Sequence, residues 1–427
     1  MQAVILAAGL GTRLYPLTQD RPKGLLKVAG RELLYRHLHL LSQNGINHFV
    51  IVVNQKTKKA FEDFLKGHPF PCRLIVNPHP ERGNGYSFFL ARDYVSGPFV
   101  LTMSDHVYEP DFVAQAVKGF GLIVDRIGRY IDPQEATKVS CEGGRIKAIG
   151  KDLSCYEGFD TGFFVLEPQI FEVAQKLALQ QEELSLSEIV GKAGLPCTYL
   201  SGLFWMDVDT PEDLKKATKY LVKTAVKGTG DGLVSRLLNR RVSTFCSRYL
   251  VDKLTPNQAT ILTFLLGLLS AALACLSPRV GGLLYQLSSM LDGMDGEIAR
   301  AALKTSRFGG WFDSVLDRYV DFAFLWALAV YLQPKDLFSL SVILLAVFGS
   351  LMVSYSTERY RGAFQEDAYA VLKPLRYLPG KRDERVFLTM LFCLGGWLKE
   401  LFLLLAVITN LRLALTIGIV WQRKGRL

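Results

Sequence analysis

DGMDGEIARAALKTSRFGGWFDSVLD, residues 292–317, lies between long apolar runs and carries Asp292, Asp295, Asp313 and Asp317. Ionisable groups at membrane depth are costly and mark functional sites. The stretch reads as two helices broken near residues 304–307. Asp292, Asp295 or Gly296, and Ala299 follow i, i+3/i+4, i+7, while Gly309, Asp313 and Asp317 follow i, i+4, i+8. Each set occupies one helical face, with two carboxylates beside a small residue that lets a substrate approach. All-oxygen donors suit a hard divalent cation such as Mg²⁺, with Mn²⁺ an alternative. Four of them around one pocket predict two ions holding a pyrophosphate. Charges snorkelling to the headgroups are the rival reading, and the matched spacing argues against it.

The same residues fit D-x-x-D-G-x-x-A-R-x8-G-x3-D-x3-D at Asp292, Asp295, Gly296, Ala299, Arg300, Gly309, Asp313 and Asp317. The string resembles the CDP-alcohol phosphotransferase family, membrane enzymes that move a phosphoalcohol from a CDP-alcohol to a hydroxyl and release CMP. Asp317, last on its helix face, is the candidate for taking the acceptor hydroxyl's proton, and Arg300 would offset phosphate charge of the bound nucleotide.

The chain of 427 residues is long enough for two or three domains, and its 49% hydrophobic share crowds into the last third. Seven cysteines are scattered without a C-x-x-C pair, which predicts thiols in a reducing cytosol rather than disulfides or zinc. A net charge of +10 fits phosphorylated substrates and an anionic bilayer surface better than nucleic acid, since no recognition module is present. MQAVILAAG turns glycine-rich after a few apolar residues, so no cleavable signal is expected.

Ahead of the membrane part, a short strand at residues 2–7 runs into AGLGTRLYPLTQDRPKGLLKVAG. Gly9 and Gly11 permit a turn whose amides face phosphate oxygens. Leu14 breaks the dinucleotide fingerprint, and no P-loop is present. Arg13 and Lys23 supply charge for a triphosphate and a reacting α-phosphate. This string resembles the sugar-phosphate nucleotidylyltransferase family over roughly residues 1–220, which implies a Rossmann-like α/β domain joining an NTP to a phosphorylated alcohol. Helices at 31–44 and 56–65 alternate with strands at 48–54, 72–77 and 98–103, as a mostly parallel sheet requires.

By that resemblance, Leu6, Ala8, Gly9, Gly11, Asn84 and Gly85 bind the nucleotide, Asp105 holds Mg²⁺, and residues 121–168 form a lid with Lys151 and Asp160 on the substrate. In WMDVDTPED, alternate residues of an extended segment aim Asp207 and Asp209 at the same cation; an N-cap role for Asp209 is the structural alternative. Arg13 and Lys23 are the catalytic candidates of this domain.

KTAVKGTGDG, residues 223–232, reads as a linker, and residues 233–253 as a basic amphipathic helix in the membrane interface. The domain reading is therefore 1–225 nucleotidylyltransferase, 226–254 linker and interfacial helix, and 255–427 an all-α six-helix transmembrane domain. Spans are expected at about 258–277, 280–303, 308–332, 336–357, 386–402 and 402–421. Lys and Arg cluster after the second, fourth and sixth, through Arg426, so both termini and both sites are expected in the cytoplasm. Arg359 and Arg361, by resemblance to the inositol-phosphate branch, would hold an acceptor's phosphate.

The pairing of the two domains resembles bifunctional fusions. It implies CTP and inositol-1-phosphate as substrates, CDP-inositol as intermediate, and a second inositol-1-phosphate as acceptor. It also implies one Mg²⁺ in the cytosolic domain, two in the membrane domain, and a homodimer in the lipid bilayer. A lipid alcohol is the rival acceptor. A membrane transporter or sensor with a nucleotide-binding module is the rival from another class, and intact spacing of both acidic sets argues against it.

Overall fold

The computed structural model describes residues 1–228 and 231–424, and the chain divides into two compact units, Met1–Thr218 and Lys219–Leu427. Thr229 and Gly230 of the expected linker, the Lys424 side chain, and Arg426 of the expected C-terminal charge cluster lie outside the described residues.

The first unit is built on a nine-stranded sheet among the described residues. Its strands are β1 Gln2–Ala7, β2 His48–Asn54, β3 Cys72–Asn77, β4 Phe99–Met103, β6 Gly121–Asp125, β7 Lys138–Glu142, β8 Arg145–Gly150, β9 Gly158–Leu166 and β10 Cys197–Tyr199; β5 His106–Tyr108 and β11 Trp205–Asp207 pair separately. The order is β8-β7-β9-β4-β1-β2-β3, with β6 between β9 and β10. β4, β1, β2 and β3 run parallel, and β9 joins them antiparallel. The period-2 alternation of β1 sends Val4 and Leu6 into one core and Ala3, Ile5 and Ala7 into the other. Helices α1 Leu33–Gln43 and α2 Lys58–Lys66 supply Leu34, Leu38 and Phe61 to the second core, and α3 Asn84–Phe89 supplies Phe88 to the first. Covering both faces of a parallel sheet in this way gives the Rossmann-like layering.

Two cysteines depart from the expectation of free thiols: Cys141 and Cys197 are joined as a disulfide. The reason is topological. Cys141 on β7 faces Ile146 of β8, and the segment carrying Cys197 runs back along that hairpin, its amide donating to Gly144 O at 2.9 Å.

The second unit is helical. A π-helical turn at Ser235–Asn239 leads into α4 Arg240–Leu250, and Leu237, Phe245 and Tyr249 stay exposed along it. Then follow α5 Pro256–Ala274, α6 Pro278–Leu291, α7 Met294–Ala301, α8 Arg307–Leu332, α9 Leu337–Phe364, α10 Arg382–Gly395 and α11 Leu398–Lys424. Local chemistry sets the ends. Thr255 and Gln258 form a capping box on α5 with Pro256 in its first turn, and Ser306 Oγ accepts from Gly309 N to start α8. Gly396 at φ +76° ends α10, so the break expected near residue 402 lies six residues earlier.

Among the described residues three helices, Pro256–Ala274, Leu337–Phe364 and Leu398–Arg423, are long and apolar enough to cross a membrane. Their outward residues, among them Leu262, Leu265, Leu344, Phe348, Val407 and Ile417, are exposed, as a lipid-facing surface requires. The remaining helices differ for physical reasons. α6 stops at Leu291, where the acidic motif begins, α8 carries Asp313, Asp317 and Asp321, and α10 opens with Arg382, Asp383, Glu384 and Arg385.

Candidate active sites

In the first unit, functional side chains gather where strands end. Gly11 adopts φ +65° beyond β1 and lies against Lys23, which opens a 3-10 turn after Pro22. Asp105 follows β4, and its neighbour His106 sits opposite Asp207 in the β5–β11 pair. Lys23 Nζ donates to Asp105 Oδ2 at 2.8 Å and also to Asp209, while Arg13 Nη1 donates to Asp209 Oδ2 at 3.0 Å. Burial opposes the charge on Lys23, but Asp105 and Asp209 outweigh it and raise its pKa. Burial likewise pushes the Asp105 carboxyl up, yet His106 at 2.8 Å and Lys23 hold it well below the usual carboxylate range.

Asp105, Asp207 and Asp209 do not form the expected three-acid cluster. β11 ends at Asp207, so the alternation that would aim both acids together stops before Asp209. Asp207 instead shares a cavity of about 210 Å³ with Asp105, while Asp209 takes Arg13 and Lys23.

Lys151 and Asp160 line that cavity, together with Asn84 and His106. Burial pushes the Asp160 carboxyl up to about 6, against the amide of Gly162 that donates to it at 2.8 Å. Asn84 Oδ1 accepts from Leu186 N at 2.8 Å. Gly85 is buried, its amide donating to Leu184 O at 2.9 Å, so its place is in packing rather than on the cavity wall. Leu6 and Ala8 are buried and Gly9 is exposed, and none of the three lines this cavity.

In the second unit, Asp292 follows the last turn of α6, and Asp313 and Asp317 sit one turn apart on α8. Oxygens of Asp292, Asp313 and Asp317 all lie within 4.8 Å of one another, the one such acidic group among the described residues. Three carboxylates this close repel unless a cation joins them, and their all-oxygen donor set fits a hard divalent ion. Asp295 is not within 4.8 Å of all three, but its carboxyl meets that of Asp313 and also accepts from Thr260 Oγ1 at 2.9 Å. The four expected acids therefore gather at one place, three mutually close and Asp295 joined to them through Asp313.

A cavity of about 390 Å³ opens on the three acids, lined also by Asp231, Arg240, Ser243, Lys381 and Arg382. Arg300 does not reach it; its guanidinium bonds the Ala225 carbonyl and lies over Gly296. Arg359 and Arg361 are exposed and also outside it, while Thr357 and Glu358 of the same helix line it; 100° per residue turns Arg359 away, and Arg361 shares the lining face one turn further along.

The Nucleotidyl transferase family model matches residues 2–121, and the CDP-alcohol phosphatidyltransferase model matches residues 253–420. The bifunctional IPC transferase and DIPP synthase of Aquifex aeolicus is 61% identical over 99% of both chains. That of Thermococcus kodakarensis is 54% identical over 99% of this chain and 98% of its own. The chain belongs to the bifunctional IPC transferase and DIPP synthase family. The solved inositol-1-phosphate CTP transferase from T. maritima is 30% identical over 51% of this chain and 94% of its own, with a TM-score of 0.46.

Three residues that shape the sites of this bifunctional family member carry no role in the sequence expectations. Arg382 donates from Nη1 to Asp292 at 2.8 Å, from Nη2 to Asp317 at 2.9 Å and from Nε to Asp321 at 3.1 Å. Asp321 is buried and also accepts from Tyr285 Oη at 2.8 Å. It continues the four-residue spacing of Asp313 and Asp317, a signal present in the sequence. His106 holds Asp105, and the Ser-Asp-His string at a strand end was its signal. Arg382 had none, being 65 residues beyond Asp317 in the chain.

Proposed function

We propose that the chain runs two consecutive transfers. CTP and inositol-1-phosphate give CDP-inositol and pyrophosphate. Phosphoinositol then passes from CDP-inositol to a second inositol-1-phosphate, releasing CMP and giving di-myo-inositol phosphate phosphate. The observation that carries this reading is the Asp292–Asp313–Asp317 group on a polar cavity, in a chain whose full-length relatives are named for both activities.

In the first unit, Lys23 and Arg13 meet the phosphates of CTP, exchanging Asp209 for phosphate oxygens. Asp105 and Asp207, which face one cavity, are the acids left to hold Mg²⁺, with Asp209 serving the two cations. Asp160, whose carboxyl burial pushes up to about 6, bonds an inositol hydroxyl, and Lys151 meets the sugar's phosphate. In the second unit, Asp292, Asp313 and Asp317 hold divalent ions, two in number with Asp295 as the fourth ligand. Bound there, Mg²⁺ or Mn²⁺ would neutralise charge on the diphosphate and its leaving CMP. Asp317 takes the proton of the attacking hydroxyl. Arg382, released from the carboxylates, is better placed than Arg359 or Arg361 to meet a phosphate.

Serines 235, 243, 289, 314 and 354 with Asn239 line the cavity, which favours a water-soluble acceptor over a lipid alcohol. The reading includes domains at 1–225, 226–254 and 255–427, six spans with both termini cytoplasmic in the cell membrane, and a homodimer. Membranes given labelled CTP and inositol-1-phosphate test it: a water-soluble labelled product supports it, and an organic-extractable one replaces it with phospholipid synthesis.

A further inference from the structure

Glu297 is fully buried in the second unit, and every one of its oxygens is engaged. Oε1 accepts from Ser243 Oγ at 2.6 Å and Arg240 Nη1 at 3.3 Å, and Oε2 accepts from Ser247 Oγ at 2.7 Å. The three donors follow i, i+3, i+7 and so form one face of α4. Joining two helices does not require a carboxylate, because an apolar contact of equal volume does so without desolvating a charge. The placement of Arg240 gives the carboxylate its use.

Arg240 is held in a fork. Nε and Nη2 donate to Asp231 Oδ2 and Oδ1 at 2.9 Å each, and Nη1 reaches Glu297. Asp231 and Glu297 therefore fix both the position and the plane of the guanidinium. It lines the cavity that holds Asp292, Asp313 and Asp317. An independent feature points the same way. A Cβ added to Gly293 would overlap Arg240 Nη1, so the residue after Asp292 has to lack a side chain for the guanidinium to lie there. Arg240 thus presents a fixed, planar cation one residue from the first acid of the cluster.

We infer that Glu297 is a positioning residue for the second transfer, setting Arg240 beside Asp292 to bind a phosphate of the reactants. This rests on the reading of the second unit as the phosphotransferase. The phosphate belongs either to the CDP-inositol diphosphate or to the acceptor's phosphomonoester. Full-length chain in detergent, with each substrate varied in turn, separates these through CMP release.

Glu297→Ala and Arg240→Gln should each raise the KM for one of the two substrates at least tenfold, with kcat changed less than threefold. The substrate whose KM moves identifies the phosphate. Arg240→Lys should recover part of the loss. Pyrophosphate release from CTP should be unaffected in all three. Arg240→Gln leaves both serine bonds of Glu297 in place, so it remains informative if Glu297→Ala unfolds. Unchanged KM for both substrates in Arg240→Gln, or a lowered melting temperature as the sole effect, overturns the inference and makes Glu297 a structural tie. A wild-type chain that releases no CMP from CDP-inositol removes the underlying reading, and the inference with it.

Discussion

Arg382 Nη2 lies 2.9 Å from Asp317 Oδ1 and so ties the first residue of α10 to the acidic face of α8. The same guanidinium reaches Asp292 and Asp321, so one cation balances acids from two helices. Replacing it by an uncharged side chain of similar length leaves buried carboxylates uncompensated. Arg382→Met should therefore cost about 3 kcal/mol of stability in chelator. Mg²⁺, which binds only the folded site, should restore most of it. Melting curves with and without Mg²⁺ check this; an equal loss in both conditions would separate Arg382 from the metal site.

Gly162 stands at φ +65°, and a Cβ there would overlap the ring of His106. His106 in turn holds Asp105. Gly162→Ala should lower pyrophosphate release by roughly tenfold or more, because small displacements of a reacting constellation are costly. CMP release from supplied CDP-inositol should stay at the wild-type rate. Equal losses in both assays would point to general misfolding.

His37 is buried edge-on to Tyr108, with its Nε2 unpartnered, and burial pushes its imidazole down to about 4. The unfolded chain titrates near 6.5, so it binds a proton between these values while the folded chain does not. His37 therefore contributes stability above pH 6.5 that is lost as the pH falls toward 4, about 3 kcal/mol at most. Thermal unfolding between pH 7 and 4.5 should fall several degrees further in wild type than in His37→Phe. Parallel curves would mean that His37 is not the group responsible.

Much of this was legible in the chain itself. The strands at His48–Asn54 and Cys72–Asn77 stand where buried apolar runs between turn residues put them, and α7 gives way to α8 across residues 302–306. Asp313 and Asp317 share a face because helix periodicity is local. What failed was longer in range or at an edge. Asp207 and Asp209 parted because alternation holds only while the strand lasts. Arg382 and the Cys141–Cys197 pair depend on which segments become neighbours, and nothing in their own surroundings announces it. The Gly395-Gly396 pair was a legible stop that the apolar run obscured.

The central claim is that two separate acidic sites on one chain act in sequence through a CDP-alcohol. The direct measurement follows pyrophosphate, CDP-inositol and CMP from labelled CTP and inositol-1-phosphate in wild type, Asp105→Ala and Asp313→Ala. Asp105→Ala should abolish both releases, whereas Asp313→Ala should release pyrophosphate at the normal rate, accumulate CDP-inositol and form CMP at least about a hundredfold more slowly. CMP formed by Asp313→Ala at the wild-type rate would contradict the account.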